Sequence, residues 1–174
     1  MADQKITQLT ADTTPTTDDL IVTVNDPAGT PGNKKVTLSD LTKALGGAWV
    51  SYSPTITQVG TVTYTATQSA YNLIGKTCTY RYYLSITGTG TAGTNFTISL
   101  PLTSITGNYF GGFIGWYDSS AAQTYAGGHT FASTTTFSGI KGGATTPGAY
   151  FGTDPNAGLG NGDVVAGTII YEIA

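Results

Sequence analysis

Apolar and polar residues alternate along several short segments, the pattern of β-strands with one buried face. The clearest case runs from Thr77 to Thr87, where every even-numbered residue from Cys78 to Ile86 is apolar. Thr61–Thr67 and Phe96–Leu100 alternate in the same way. The spacing of these strands and turns predicts an all-β domain, an antiparallel sandwich or barrel, and we take a jelly-roll-like β-sandwich as the prediction.

The last predicted strand, Val164 to Ile173, differs because its odd-numbered and even-numbered positions are both mainly apolar. Each of its faces therefore needs a cover. Either the strand is central and its own chain covers both faces, or a neighbouring subunit covers the second. The even-numbered set is the candidate trimer interface: Val164, Ala166 and Ile170.

The N-terminal segment predicts two short strands, Asp19–Val24 and Lys34–Leu38, joined by a turn-rich loop. Ser39 then caps a short predicted helix that ends near Leu45. Paired glycines follow, so we place a junction near residue 47, between an arm (1–46) and an outer β domain (48–174). The arm has too few large apolar residues for its own core, and we expect it to fold against a partner.

Composition narrows the function classes. The chain of 174 residues carries 7 basic and 10 acidic side chains, and 10 of these 17 lie in the first 46 residues. The net charge of −3, without a run of like charges, predicts no binding to nucleic acid. No apolar stretch is long enough to insert into a membrane, and the first ten residues lack the apolar core of a signal peptide. We therefore expect synthesis in a cytoplasm.

Most motifs that could indicate a nucleotide, metal or catalytic site have little support from their sequence context. Gly88–Gly93 fits GxGxxG but precedes a strand, so it predicts a hairpin turn and not a nucleotide site. With one cysteine and one histidine, the chain predicts no disulfide, no metal site built from Cys and His, and no cofactor site, and Cys78 is expected in the core. Asp154 and Asp163 flank a loop that either binds a hard cation or simply turns. No carboxylate pair or nucleophile stands out, so we expect no enzyme.

Aromatic residues in the middle of the chain form a candidate glycan platform, because rings stack on sugars and a carboxylate accepts hydroxyls. The alternative is that they belong to the core or to an interface. The candidates are Trp116, Tyr117, Asp118, Tyr125 and His129.

Several loose motifs resemble tailed-bacteriophage virion proteins, namely head fibres, tail fibres and capsid decorations. They are the spaced apolar residues of Lys5–Leu9, Asp19–Val24 and Lys34–Leu41, then Trp49–Thr55, Tyr71–Lys76 and Ser99–Pro101. The resemblance implies a virion structural protein, usually a homotrimer, whose arm docks on capsid or tail proteins. A glycan-binding receptor module and a polysaccharide-degrading tailspike are the alternatives. The expected docking anchors are Ile6, Leu9, Leu20, Val22, Leu38 and Leu41.

Overall fold

The computed structural model describes residues 14–16, 18–25, 28–29, 32–38, 40–41, 46–105, 111–142 and 149–174. The chain divides into two compact units, Met1–Gly46 and Gly47–Ala174.

The first unit contains one antiparallel hairpin. Strand β1 (Leu20–Asn25) pairs with β2 (Gly32–Thr37), from Leu20 opposite Thr37 to Asn25 opposite Gly32. The Leu38 amide extends the pairing by donating to the Asp19 carbonyl at 2.8 Å. Both strands lie where the sequence predicts them. The predicted helix after Thr37 falls largely on residues 39 and 42–45, which lie outside the described residues.

The second unit consists of twelve short strands among the described residues. They are β3 (Val50–Ser51), β4 (Ile56–Thr57), β5 (Gly60–Thr61), β6 (Tyr64–Ala66), β7 (Ala70–Ile74), β8 (Thr77–Ile86), β9 (Thr89–Gly90), β10 (Thr97–Ser99), β11 (Gly111–Asp118), β12 (Gln123–Phe131), β13 (Thr136–Lys141) and β14 (Val164–Glu172).

Ten of these strands form one antiparallel sheet, in the order β3-β7-β8-β14-β11-β12-β13-β10-β4, with β6 pairing beside β7 on the edge of β8. Its two edge strands, β3 and β4, are consecutive in sequence. The segment between them makes hydrogen bonds to both edges: Tyr52 N donates to Ser69 O at 3.1 Å, and Tyr52 Oη donates to Leu100 O at 2.9 Å. One short segment therefore ties the opposite edges of a curled sheet together.

The prediction of an all-antiparallel β domain is confirmed. Strand pairing connects the main strands into a single curled sheet, and the two-sheet jelly-roll sandwich is not confirmed. A second, two-stranded sheet pairs β5 with β9. The predicted continuous strand Thr61–Thr67 is divided, because β5 belongs to this small sheet whereas β6 pairs with β8.

The core lies on one side of the sheet, which we call the inner side, and β8 and β14 contribute much of it. All five even-numbered residues of β8, from Cys78 to Ile86, are buried, as their alternation predicts. On β14 the odd-numbered residues Val165, Ile169 and Tyr171 are the buried ones. The remaining core combines aliphatic side chains with four aromatic ones, Phe96, Trp116, Phe137 and Phe151.

Candidate functional site

Three adjacent strands of the sheet, β8, β14 and β11, leave an apolar surface on the side opposite the core. Cross-strand partners share a face, so the register places Tyr83 beside Ala166, and Tyr117 beside Val164. Phe113 and Ile170 lie on the same side, and Phe113 is 56% exposed. We call this surface the outer face and define it by six residues: Tyr83, Phe113, Tyr117, Val164, Ala166 and Ile170.

A shallow groove of about 290 Å³ crosses the outer face. Gly115 and Ala166, which are register partners, leave space in its middle, while Phe113 and Tyr117 flank Gly115 along β11. The Phe113 ring reaches over Gly115, because a Cβ added to this glycine would meet ring carbons at 3.5 and 3.6 Å. The groove offers an apolar recess, with the Thr124 hydroxyl as its polar side chain.

Charge is almost absent from this side of the sheet. Among the outward positions of β8, β11 and β14, only Arg81 and Glu172 are charged, and Glu172 is the last residue of β14. The Arg81 guanidinium carbon lies 4.2 Å from the centre of the Trp49 ring, in a cation–π contact. The indole therefore covers part of the one cation near the middle of this surface.

The even-numbered residues of β14 predicted as an interface, Val164, Ala166 and Ile170, thus share the outer face. Ile170 is exposed, and the other two are half-buried. Sequence reasoning missed Tyr83 and Phe113, whereas it names Tyr117 as a glycan candidate with the core or an interface as the alternative. The alternation of β8 signals that Tyr83 points outward, but the neighbours of β11 are not readable from local sequence.

The predicted glycan platform does not assemble on one surface. Trp116 and Asp118 are buried, and His129 is only 6% exposed. Tyr125 is half-buried, with its ring centroid 5.3 Å from that of Trp116. Tyr117 alone points to the opposite side and joins the outer face. Four of the five candidates therefore pack on the inner side of the sheet.

A buried carboxylate holds one end of this inner layer. Asp163, 1% exposed, accepts hydrogen bonds from Trp116 Nε1 at 3.1 Å and from Gly160 N at 2.9 Å through Oδ2. Its Oδ1 accepts from the Ser119 amide and hydroxyl, both at 2.9 Å. Four donors satisfy this carboxylate: one from strand β11, two from the turn that follows it, and one from the loop that precedes β14. Its role in the structure is therefore to join that loop to the end of β11.

The predicted ion-binding loop has its other carboxylate engaged as well. Asp154 pairs with Lys141, whose Nζ lies 2.8 Å from Oδ1. Across the part of the chain that the structure describes, no three His, Cys, Asp or Glu side chains cluster in a way that could hold a metal ion. Both carboxylates of the predicted loop therefore have partners within the protein.

The predicted docking anchors are only partly described. Ile6 and Leu9 lie outside the described residues. On β1, Leu20 is exposed and Val22 is 73% exposed, so this short strand offers bare apolar side chains. Leu38 and Leu41 are half-buried.

Comparisons with protein-family models, curated proteins and solved structures found no match to this chain. Within the ranges that the structure describes, no helix has both the length and the apolar character needed to cross a bilayer.

Proposed function

We propose that this chain is a structural protein of a tailed-phage particle, whose β unit assembles with further copies of itself and whose arm docks on capsid or tail proteins. The outer face is the observation that carries the assembly step. The virion setting is supported by the sequence resemblance of the arm and of the Trp49–Pro101 region. Binding, and not catalysis, is the activity of such a protein.

The outer face is unusual for an isolated β domain. Soluble monomers seldom expose contiguous apolar patches, and larger ones mark interaction sites. Tyr83 on β8, Phe113 and Tyr117 on β11, and Ile170 on β14 are all exposed, and these three strands are adjacent in the sheet. Aromatic residues are enriched at interface centres, and charged residues are depleted there. This surface has both properties.

A second copy of the chain is the occupant that we assign to this surface. When the same nearly uncharged face is presented by two copies, few charges have to be buried without a partner. The apolar groove beside Gly115 and Ala166 accommodates an apolar side chain better than a sugar, which requires several polar partners. Threefold assembly follows the resemblance, and we propose a homotrimer.

The arm supplies the second contact surface. An isolated two-stranded hairpin is marginally stable in water, and β1 exposes Leu20, Ile21 and Val22. These side chains are available to pack on another virion protein. If the docking assignment is correct, deletion of residues 1–46 removes the chain from purified particles, as measured by mass spectrometry. Normal incorporation of the truncated chain would contradict it.

Assembly can be tested with one charge. Ala166→Arg places a guanidinium in the middle of the outer face, where a second copy would bury it. Its control is Ala132→Arg, the same change at an exposed turn position. We expect sedimentation velocity to show loss of self-association for Ala166→Arg only, with unchanged far-ultraviolet circular dichroism for both. Equal association of both variants would contradict the assigned face.

A further inference from the structure

A buried imidazole lies beneath the outer face. His129, the only histidine of the chain, occupies the inner side of β12. Its Nε2 lies 2.9 Å from the Tyr82 hydroxyl, and its ring centroid is 5.1 Å from that of Phe137. Nδ1 is buried without a hydrogen-bond partner. Only one of the two ring nitrogens, Nε2, therefore has a hydrogen-bond partner.

At two glycines, the backbones of β11 and β14 approach the His129 and Tyr82 side chains closely. A Cβ added to Gly112 of β11 would come within 3.1 Å of His129 Nδ1 and within 2.1 Å of the Thr168 carbonyl oxygen of β14. A Cβ added to Gly167 of β14 would come within 2.6 Å of the Tyr82 hydroxyl. The imidazole and the phenol thus pack directly against the backbone of the two strands that carry most of the outer face.

Protonation would be costly at this place. A second N–H donor would form at Nδ1, where no acceptor waits, and a positive charge would sit among uncharged groups. The contacting groups are the neutral Tyr82 from β8, Phe137 from β13, and the backbone of Gly112 from β11. Burial lowers the pKa of His129 from 6.5 to about 4. The neutral ring is therefore the form that fits.

We propose that the His129–Tyr82 pair is an acid-sensitive element of the assembly: protonation of His129 forces β11 and β14 apart to admit water and releases the copy bound at the outer face. This inference rests on the proposed self-assembly. We expect β11 and β14 to separate first at the Gly112–Thr168 contact, because His129 Nδ1 faces this contact. Phe113 and Ile170 flank that contact on the outer face, so their spacing changes with it.

The direction and size of the effect follow from linkage. The pKa of His129 is lower in the closed, folded protein than in a hydrated histidine. Acid therefore favours the opened form, in which the imidazole is hydrated. The effect is absent above about pH 6.5, grows as the pH falls, and stops increasing below about pH 4. At pH 5 the opened form gains up to about 30-fold per chain relative to pH 7.5, if its histidine titrates as a hydrated one.

The experiment measures self-association of the full-length chain by sedimentation velocity at pH 7.5 and pH 5.0. We expect the wild type to dissociate at concentrations up to about 160-fold higher at pH 5.0, because each of three chains gains up to about 30-fold and the midpoint concentration of a trimer varies as the square root of its dissociation constant. His129→Gln retains a hydrogen-bonding side chain toward Tyr82 but takes no proton. We expect its dissociation constants at the two pH values to agree within about threefold, because only the carboxylates then titrate in part.

A second measurement does not depend on the variant folding. The wild type has a single imidazole, so its ring protons in the nuclear magnetic resonance spectrum report one titration, expected with a pKa of about 4 in the assembled protein. A midpoint near the ordinary 6.5 would overturn the proposal, and so would equal acid dissociation of His129→Gln. Wild-type association at pH 7.5 that is unchanged at pH 5.0 refutes the acid release alone. A monomer at pH 7.5 refutes the proposed assembly, and the acid release with it.

Discussion

Replacing Asp163 by Asn should be among the most damaging single-atom changes in the β unit. Each carboxylate oxygen accepts from two donors: Oδ1 from the amide and hydroxyl of Ser119, and Oδ2 from Trp116 Nε1 and Gly160 N. An asparagine oxygen serves only one of these pairs. Its NH₂ group would then face the other two donors, and no rotation of the amide solves both sides.

The expected cost can be worked from this geometry. Hydrogen bonds to a charged group contribute about 1.5 to 3 kcal/mol each. Two lost bonds therefore predict a fall of about 3 to 6 kcal/mol in the free energy of unfolding, a large share of the 5 to 15 kcal/mol typical of a domain. Trp116 is fully buried, so water cannot replace the lost partner at its Nε1 without opening the core.

Urea denaturation followed by circular dichroism measures this change, at one fixed protein concentration because assembly adds to apparent stability. Asp154→Asn is the matched control. It weakens the partly exposed pair with Lys141 and should cost less than about 1 kcal/mol. If the free energy of unfolding of Asp163→Asn lies within about 1 kcal/mol of the wild-type value, the carboxylate does not hold the loop before β14 to the end of β11, and our reasoning is wrong.

Three further predictions concern the same unit. Gly139→Ala should lower the free energy of unfolding by about 1 to 3 kcal/mol in urea denaturation, because the new Cβ would lie 2.6 Å from the Phe151 ring. Cys78 is fully buried, and burial raises the pKa of its thiol, so a thiol reagent should label it only under unfolding conditions. Trp49→Ala removes the ring over Arg81 and should cost about 1 kcal/mol or less by the same denaturation assay.

Local pattern predicts the strands well but not their partners. Alternation in β8 identifies its buried face, because one face of this strand packs into the core along its whole length and the other does not. The same rule applied to Thr61–Thr67 predicts one strand, whereas the backbone changes partners between β5 and β6. Gly60, with φ of +113°, is the first residue of β5. A strand of two residues, such as β5, is too short to show a hydrophobic periodicity of its own, so the sequence does not separate it from β6.

The site was harder to predict because its residues meet across large sequence separations. The two-faced composition of β14 identifies Ala166 as part of a second buried surface or an interface, and that inference needs no partner strand. Trp116, by contrast, was a glycan candidate because its neighbours in sequence are aromatic and acidic. Its position depends on Asp163, 47 residues away, which binds the indole on the inner side of the sheet. The types of side chain along a strand do not by themselves show which face of that strand the rest of the protein covers.

Sedimentation equilibrium of the full chain at neutral pH and micromolar concentration tests the central claim most directly. If the outer face is covered by further copies, the measured mass is that of three 17.9 kDa chains, about 54 kDa, and Ala166→Arg returns it to a single chain. A wild-type mass of 17.9 kDa under these conditions would contradict the proposed assembly.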